Sequence, residues 1–402
     1  MIDKLYDFFK DKKILLLGFG LEGQSTLRLL EKLNIADDEA VTVWEKYNHT
    51  VGTKLPLEYD IIVKSPGIPL FQRPGETDKR ITGQADLFLR FCRERKPVVV
   101  GITGTKGKST TSSLLHHILS ECGVKSRLIG NIGVPPLDIA YETDDADVIV
   151  AELSCHQLEY VEESPQIAVL LNIYEEHLDH YIDFAHYKYV KENIFRFQRP
   201  GDVLIRGEDA EVSEIEREVT NAKLRGRHNL RNIAVAVKAA IAAAELSGSG
   251  IDKAAAIKAG CGFGGLEHRL ELFAEIDGVA WVNDSICTIP EAAIAAVEAF
   301  PEADTIIIGG MDRGVDYSIL TRFLQERVEL NVIALPDSGH KIAESLSNVY
   351  KAVDLADAVA YAKQVSRKCC VLSPAAASYG FYRNFEERGT HFKELVLDLH
   401  EN

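Results

Sequence analysis

The stretch PVVVGITGTKGKST, residues 97–110, joins a short apolar run to a glycine-rich turn. Residues 97–101 have the length and composition of a strand covered on both faces, and 111–119 beyond the turn read as a helix. A Gly-Lys-Ser core between a strand and a helix is a phosphate-binding arrangement. Amides along Gly104, Thr105, Lys106 and Gly107 would cradle phosphates. Lys108 would reach the β and γ oxygens, and Ser109, with Thr110 beside it, would hold Mg²⁺. The strict pattern puts glycine at 102, where this chain has Ile102. Gly101 and Gly104 stand instead, so the loop is a variant. It points to ATP chemistry.

Apolar runs recur on both sides at helix-length intervals. They fall at 13–17, 41–45 and 60–63, then at 147–151, 167–172 and 202–205, and again at 305–308, 331–335 and 369–372. Continuous apolar strands separated by helices imply parallel sheets covered on both faces, hence an α/β fold. RERKP at 93–97 and GCGFGG at 260–265 interrupt the series. The expected domains are 1–95, 96–265 and 266–402.

A second glycine turn lies in the first of these domains. GFGLEG at 18–23 places Gly18, Gly20 and Gly23 in a G-x-G-x-x-G, with Phe19 inside it, and Glu45 ends the next strand. Alone, this is a dinucleotide fingerprint, with the acid placed to meet a ribose. An NAD-dependent dehydrogenase therefore competes at this point with an ATP-dependent enzyme.

Composition narrows the partners. The 402 residues carry 45 Lys and Arg against 61 Asp and Glu, a net charge of −16. That balance argues against nucleic acid or an anionic membrane as the main partner. It leaves phosphorylated small molecules open, because a few local amides and cations can hold them. The cysteine count is seven with no C-x-x-C pair, which reads as reduced thiols rather than a disulfide framework or zinc site. The N-terminus does not read as a signal peptide, and no apolar run approaches the ~18 residues of a membrane span. A cytoplasmic protein without membrane insertion is expected.

Two more strand ends carry chemistry. Glu152 follows the run at 147–151, where a P-loop ATPase holds its Mg²⁺. His177 and Asp179 lie just past the run at 167–172, also on the ligand side of a parallel sheet. Mg²⁺ prefers oxygen ligands, so a histidine ligand needs support from its neighbours.

The order of these and further motifs resembles the Mur ligases of bacterial peptidoglycan assembly, most closely their D-glutamate-adding members. The motifs are GITGTKGKST (101–110), GNIG (130–133), AELSCHQLE (151–159), LNIYEEHLDHY (171–181), GRHNLRN (226–232), EHRLE (267–271), NDS (283–285), GGMDRG (309–314) and SPAAASYGFYRNFEERG (373–389). They span nearly the whole chain.

The resemblance implies three domains: a Rossmann-like N-terminal domain for a uridine nucleotide-sugar, a P-loop central ATPase and a Rossmann-like C-terminal domain. It reassigns Gly18, Phe19, Gly20, Gly23 and Glu45 to the nucleotide-sugar, with Ser65, Pro66 and Gly67 as a second phosphate turn and Asn131 nearby. Lys191 matches a carbamylated lysine, which would join Ser109, Glu152 and His177 around Mg²⁺. Lys108, His177 and Lys191 are the expected catalytic residues. Asn229 and Asn232 match adenine-side contacts. His268, Arg269 and Asp284 match the nucleotide edge supplied by the third domain. Thr288, Arg313, Ser378 and Phe385 match the acceptor amino-acid site, where arginine suits a carboxylate.

The implied activity is ATP-dependent addition of D-glutamate to UDP-N-acetylmuramoyl-L-alanine through an acyl phosphate, by a monomer. The chain departs from the family at Lys106, where asparagine is usual, and at Ile286, where a lysine is usual after Asp-Ser. Cys155 and His156 replace a Ser-Phe pair. The Ile286 segment motivates an L-glutamate-adding ligase as the first alternative. A folylpolyglutamate-synthase-like ligase and the dehydrogenase stand further back.

Overall fold

A computed structural model describes residues 1–36, 39–45, 55–70, 72, 78–176, 180–224 and 226–398. The chain divides into two compact units, Met1–Phe263 and Gly264–Asn402.

The first unit holds two parallel sheets. β1 (Ile14–Leu17), β2 (Val41–Trp44), β3 (Ile61–Lys64) and β4 (Ile81–Thr82) run in the order β2-β1-β3-β4. β5 (Val98–Thr103), β6 (Ser126–Gly130), β7 (Val148–Glu152), β8 (Ile167–Leu170) and β9 (Val203–Arg206) run in the order β6-β7-β5-β8-β9. The residues of β1, β3, β5, β7 and β8 are buried throughout, as expected of parallel strands covered by helices. The helix Arg227–Ser247 is rich in alanine, so its backbone can lie close against the Lys108–Glu121 helix and β5. Gly248, at φ +78°, caps it.

The two sheets belong to one unit because they share a core and a polar seam. Leu5, Phe9 and Phe88 pack in the same apolar cluster as Ile149, Leu158 and Tyr187. Across the seam Arg93 pairs with Asp202 at 2.7 Å and Lys64 with Glu159 at 3.0 Å. Gln157 donates to Glu22 at 2.6 Å, and Ser25 to Asp138 at 2.7 Å.

The second unit is one sheet in the order β10-β11-β15-β12-β13-β14, made of β10 (Glu271–Ile276), β11 (Val279–Asn283), β12 (Thr305–Gly310), β13 (Asn331–Asp337), β14 (Val349–Lys351) and β15 (Cys369–Leu372). All-parallel strands are expected from the sequence, and here that expectation fails. β10 runs antiparallel to β11 through a two-residue Asp277-Gly278 turn. An Asp-Gly pair between strands favours such a hairpin. The edge strand β10 is only partly buried, so no continuous apolar run announces it.

Candidate active site

The loop between β5 and the Lys108–Glu121 helix is clamped by residues past β8. Asn172 accepts from the Lys106 amide at 2.9 Å and donates to the Lys106 carbonyl at 3.0 Å. The Thr105 hydroxyl accepts from the Tyr174 amide at 2.9 Å and pairs with the Tyr187 hydroxyl at 2.9 Å. Thr105 is thus used internally, while the exposed Lys106 ammonium pairs with Glu176 at 2.6 Å. Asn232 lies beside Gly107, which has φ +87°, and donates to Asn229 at 3.1 Å. Both asparagines are buried next to the loop.

Two lysines converge on one carbonyl. Lys108 Nζ donates to the Gly104 and Thr105 carbonyls at 3.0 Å each, and Lys191 Nζ donates to the Gly104 carbonyl at 2.8 Å. Among the described residues neither has a carboxylate within ion-pair distance. Burial lowers both pKa values, and Lys191 falls to about 8, with the charge of Lys108 adding to the effect. A lysine with an appreciable neutral fraction near physiological pH is a nucleophilic amine.

Glu152, the last residue of β7, accepts from Asn131 Nδ2 at 2.9 Å through Oε1. Its Oε2 is buried without a hydrogen-bond partner. Ser109 stands in the first turn of the helix after the loop. An orphaned carboxylate oxygen at the end of the strand that pairs with β5, together with the Ser109 hydroxyl on the helix the loop opens, offers the oxygen donors that Mg²⁺ prefers, so these residues fit the ion. Two ammonium groups oppose a cation there unless one is neutralised or converted to an oxygen ligand. His177 and Asp179 lie outside the described residues.

The two turns assigned to a nucleotide-sugar touch each other. Gly18 has φ +92°, and a Cβ there would lie 2.7 Å from Ser65 Cβ; Ser65 Oγ donates to the Gly18 carbonyl at 2.9 Å. Gly23 packs on that same carbonyl, and Gly20 precedes the Leu21–Lys32 helix. Phe19 is half-buried, and Glu45 is exposed past β2. Pro66 and Gly67 follow Ser65, and Lys64 Nζ reaches the Ser65 and Pro66 carbonyls at 3.4 Å.

Sequence reasoning missed Lys64, Glu22, Gln157, Glu159 and Asn172. A lysine closing the apolar strand IIVK was the available signal for Lys64. Glu22 lies inside the glycine loop, and burial raises its pKa against the hydrogen bond from Gln157 and the charge of Lys64.

In the second unit, His268 is buried with φ +62° and pairs through Nδ1 with Asn283 Nδ2 at 2.9 Å. Arg269 Nε is buried without a partner. Asp284 is buried, and both its oxygens are engaged, by the Leu270 amide at 3.2 Å and Ser373 Oγ at 2.7 Å. Burial pushes its pKa up to about 6 against those hydrogen bonds. Thr288 and Arg313 are exposed, Ser378 is buried and Phe385 is half-buried at a helix start. Glu267, His268 and Glu271 could meet a metal, but Lys393 already bridges the two carboxylates at 2.8 and 2.9 Å.

A phosphate loop on the central strand of a parallel sheet, with an acid ending the neighbouring strand, defines a P-loop nucleotide-handling protein of the α/β class. Comparison carries this further. Residues 102–225 match the Mur ligase middle domain. The chain is 33% identical to UDP-N-acetylmuramoylalanine–D-glutamate ligase of Chlorobium limicola, over 89% of this chain and 88% of that one. It is 30% identical to the enzyme of the same name from Acetivibrio thermocellus, over 99% and 100%. The chain belongs to this family of Mur ligases. Among solved structures, UDP-N-acetylmuramate–alanine ligase of Thermotoga maritima shares the fold at a TM-score of 0.57 and 16% identity, covering 97% of this chain and all of that one. Folylpolyglutamate synthase of the same organism follows at 0.55 and 12%, covering 79% and 94%.

Proposed function

We propose that this protein is an ATP-dependent ligase that joins D-glutamate to UDP-N-acetylmuramoyl-L-alanine in peptidoglycan precursor synthesis. The similarity to D-glutamate ligases along almost the whole chain carries this reading. The convergence of Lys108, Lys191 and Glu152 on the phosphate loop supports it chemically. Residues 1–95 would bind the nucleotide-sugar through Gly18, Phe19, Gly20, Gly23, Glu45, Ser65, Pro66, Gly67 and Asn131. Residues 96–265 would bind ATP, and 266–402 the acceptor, with Thr288, Arg313, Ser378 and Phe385 around it.

The nucleotide-sugar carboxylate attacks the γ-phosphorus of ATP, the bond to ADP breaks, and an acyl phosphate forms. Lys108 swings from the Gly104 and Thr105 carbonyls to the β and γ oxygens and meets the charge that develops there. The amine of the acceptor then attacks the acyl carbon, gives up a proton, and phosphate leaves. His177 or a group beside it would take that proton. Asn229 and Asn232 border the adenine, and Arg269 and Asp284 the nucleotide's far edge. Mg²⁺, held by Ser109, Glu152, His177 and a carbamylated Lys191, would neutralise charge on the transferring phosphoryl group. The enzyme would act as a cytoplasmic monomer; among the described residues no helix is long and apolar enough to cross a membrane.

Purified protein is incubated with UDP-N-acetylmuramoyl-L-alanine, ATP, Mg²⁺ and each glutamate enantiomer, and phosphate and product mass are followed. Product with the D form alone is expected. Product with the L form alone would replace this reading by the L-glutamate one.

A further inference from the structure

Among the described residues three cations are almost fully buried: Lys64, Lys191 and Arg388. Lys64 has Glu159. Lys191 belongs to the phosphate loop. Arg388, in the second unit, is 1% exposed and has no carboxylate within ion-pair distance among the described residues. Its guanidinium is held by neutral acceptors only. Nε donates to Ser285 Oγ at 3.0 Å, Nη2 to the Ser285 and Ala376 carbonyls at 2.7 and 3.1 Å, and Nη1 to the Ala377 carbonyl at 3.4 Å. A guanidinium has about five N–H donors, so four acceptors leave one to spare.

The placement is electrostatically adverse. Arg388 lies near the start of the Phe385–Leu397 helix, whose dipole already disfavours a cation at that end. Glu387 in the same turn is taken by Arg383 at 3.1 Å, and Glu386 is exposed. Burial lowers the guanidinium pKa to about 10, so it stays charged at neutral pH. No carboxylate among the described residues bonds it and the buried Asp284 acts on it only through its field, so the cost of burying the charge is only partly offset and an incoming anion is a natural complement.

Its contacts coincide with the segments that carry the acceptor residues. Ser285 is on the loop after β11 that leads to Thr288. Gly310, where a Cβ would lie 2.9 Å from Arg388 Nη1, ends β12 just before Arg313. Ala377 precedes Ser378. Ser285 Oγ also donates to the Phe385 carbonyl at 2.8 Å. Arg388 and Ser378 further share the wall of a cavity of about 280 Å³ over the ends of β12 and β13.

We infer that Arg388 is the positioning residue of the acceptor site: it ties these segments into one frame, and its charge, bonded to no carboxylate among the described residues, selects an amino acid that brings a second carboxylate. The inference rests on the ligase reading above. Selection acts through the frame and the field of the charge, with no direct contact to substrate required.

The test uses full-length enzyme in the ligation assay. Wild type should prefer D-glutamate over D-glutamine by at least tenfold in kcat/KM. Arg388→Gln should raise KM for D-glutamate tenfold or more, keep KM for ATP and the nucleotide-sugar within twofold, and erase the preference. Arg388→Lys keeps the charge without the fork and should retain the preference at lower kcat. A purely structural arginine would lower kcat in both variants and leave every KM and the preference unchanged, which overturns the inference. Should Arg388→Gln fail to fold, wild type and Arg388→Lys decide: equal use of glutamine by either overturns it. Ligation of D-glutamine by wild type with a kcat/KM within tenfold of that for D-glutamate overturns Arg388 selection and leaves the ligase reading intact. Absence of ligation with every amino acid overturns both.

Discussion

Replacing Lys64 by methionine tests how the nucleotide-sugar turns are locked to the ATP-binding sheet. Lys64 ends β3, and its Nζ lies 3.0 Å from Glu159 Oε2, off the direction of a good hydrogen bond; both side chains are at most 5% exposed. At that distance an effective dielectric of about 20 gives roughly 5 kcal/mol of gross attraction, most of it offset by desolvating the two ions. Removing one partner strands the other, at a cost of about 3–5 kcal/mol, whereas removing both leaves neither charge stranded, with only His180 and the Ser65 and Pro66 carbonyls among the described residues losing a polar neighbour, and should cost far less. Lys64→Met and Glu159→Leu should therefore each destabilise the first unit by about 3 kcal/mol or more, and the double variant should recover to within about 1 kcal/mol of wild type. The chain has two tryptophans, Trp44 in the first unit and Trp281 in the second, so urea titration of Trp44 fluorescence in a Trp281→Phe background reads the right unit. The pH dependence has a fixed sign. Burial resists ionisation of Glu159, but Lys64 and His180 outweigh it and hold its pKa below the ordinary 4.5. The pair's contribution is full above about 4.5 and is lost as pH falls through the folded-state value; Lys64→Met should flatten that slope. Single variants costing under about 1 kcal/mol, or a double variant as unstable as the sum, would refute the locked seam.

Lys108→Ala and Glu152→Gln should each lower turnover by about a thousandfold or more while circular dichroism stays that of wild type, since on the proposed mechanism one would meet the transferring phosphoryl group and the other the metal. With its pKa at about 8, Lys191 should have roughly a quarter of its amine neutral at pH 7.5, against about a thousandth for an ordinary lysine. A carbamate signal in ¹³C spectra of bicarbonate-treated protein should appear in wild type and vanish in Lys191→Gln, and short carboxylic acids should restore part of the Lys191→Ala activity; a Lys191 that stays unmodified removes the carbamate from the mechanism. Asp284, raised from 3.8 to about 6 by burial, binds its proton more tightly folded than unfolded, so its contribution is full below about 3.8 and is lost as pH rises through about 6. Relative to wild type, Asp284→Asn should therefore gain stability across that window, by an amount on the order of 3 kcal/mol; a pH-independent difference in the urea midpoints would show that Asp284 is not the titrating group.

The phosphate loop was legible because its information is local: a buried strand, glycines and a Lys-Ser pair at a helix start act within a dozen residues. Most parallel strands were legible for the same reason, since burial on both faces leaves unbroken apolar runs. β6 and β10 were not, because their partly buried faces mix polar and apolar residues, and β4 is only two residues long. At the site, motif order located Glu152, Lys191 and the asparagines near the loop, but not what holds them. Asn172 reads as a loop residue until its two bonds to Lys106 are seen. Lys64 and Glu159 meet only because separate sheets share a seam. Arg388, in the charged run FEERG, reads as a solvated helix face until three strand ends close over it.

Charge supplies the remaining step. A chain of net charge −16 that handles polyanions cannot rely on overall attraction, so its cations must be distinguished by local state. Pairing is that state. Lys64 and Arg93 are buried against Glu159 and Asp202, and a cation already matched to a carboxylate has little left to offer a phosphate. Among the described residues Lys108 and Lys191 hydrogen-bond only to carbonyls, Arg388 only to carbonyls and a hydroxyl, and Arg269 keeps an unmatched Nε. Among the described residues none of these four has a carboxylate within ion-pair distance, and burial lowers the pKa of Lys108, Lys191 and Arg388 against the field of more distant acids. On the proposed mechanism Lys108 would then be the loop cation that meets the nucleotide's phosphates, carbamylation would turn Lys191 into an oxygen ligand for the metal, and binding energy of that kind would serve the transition state rather than the fold.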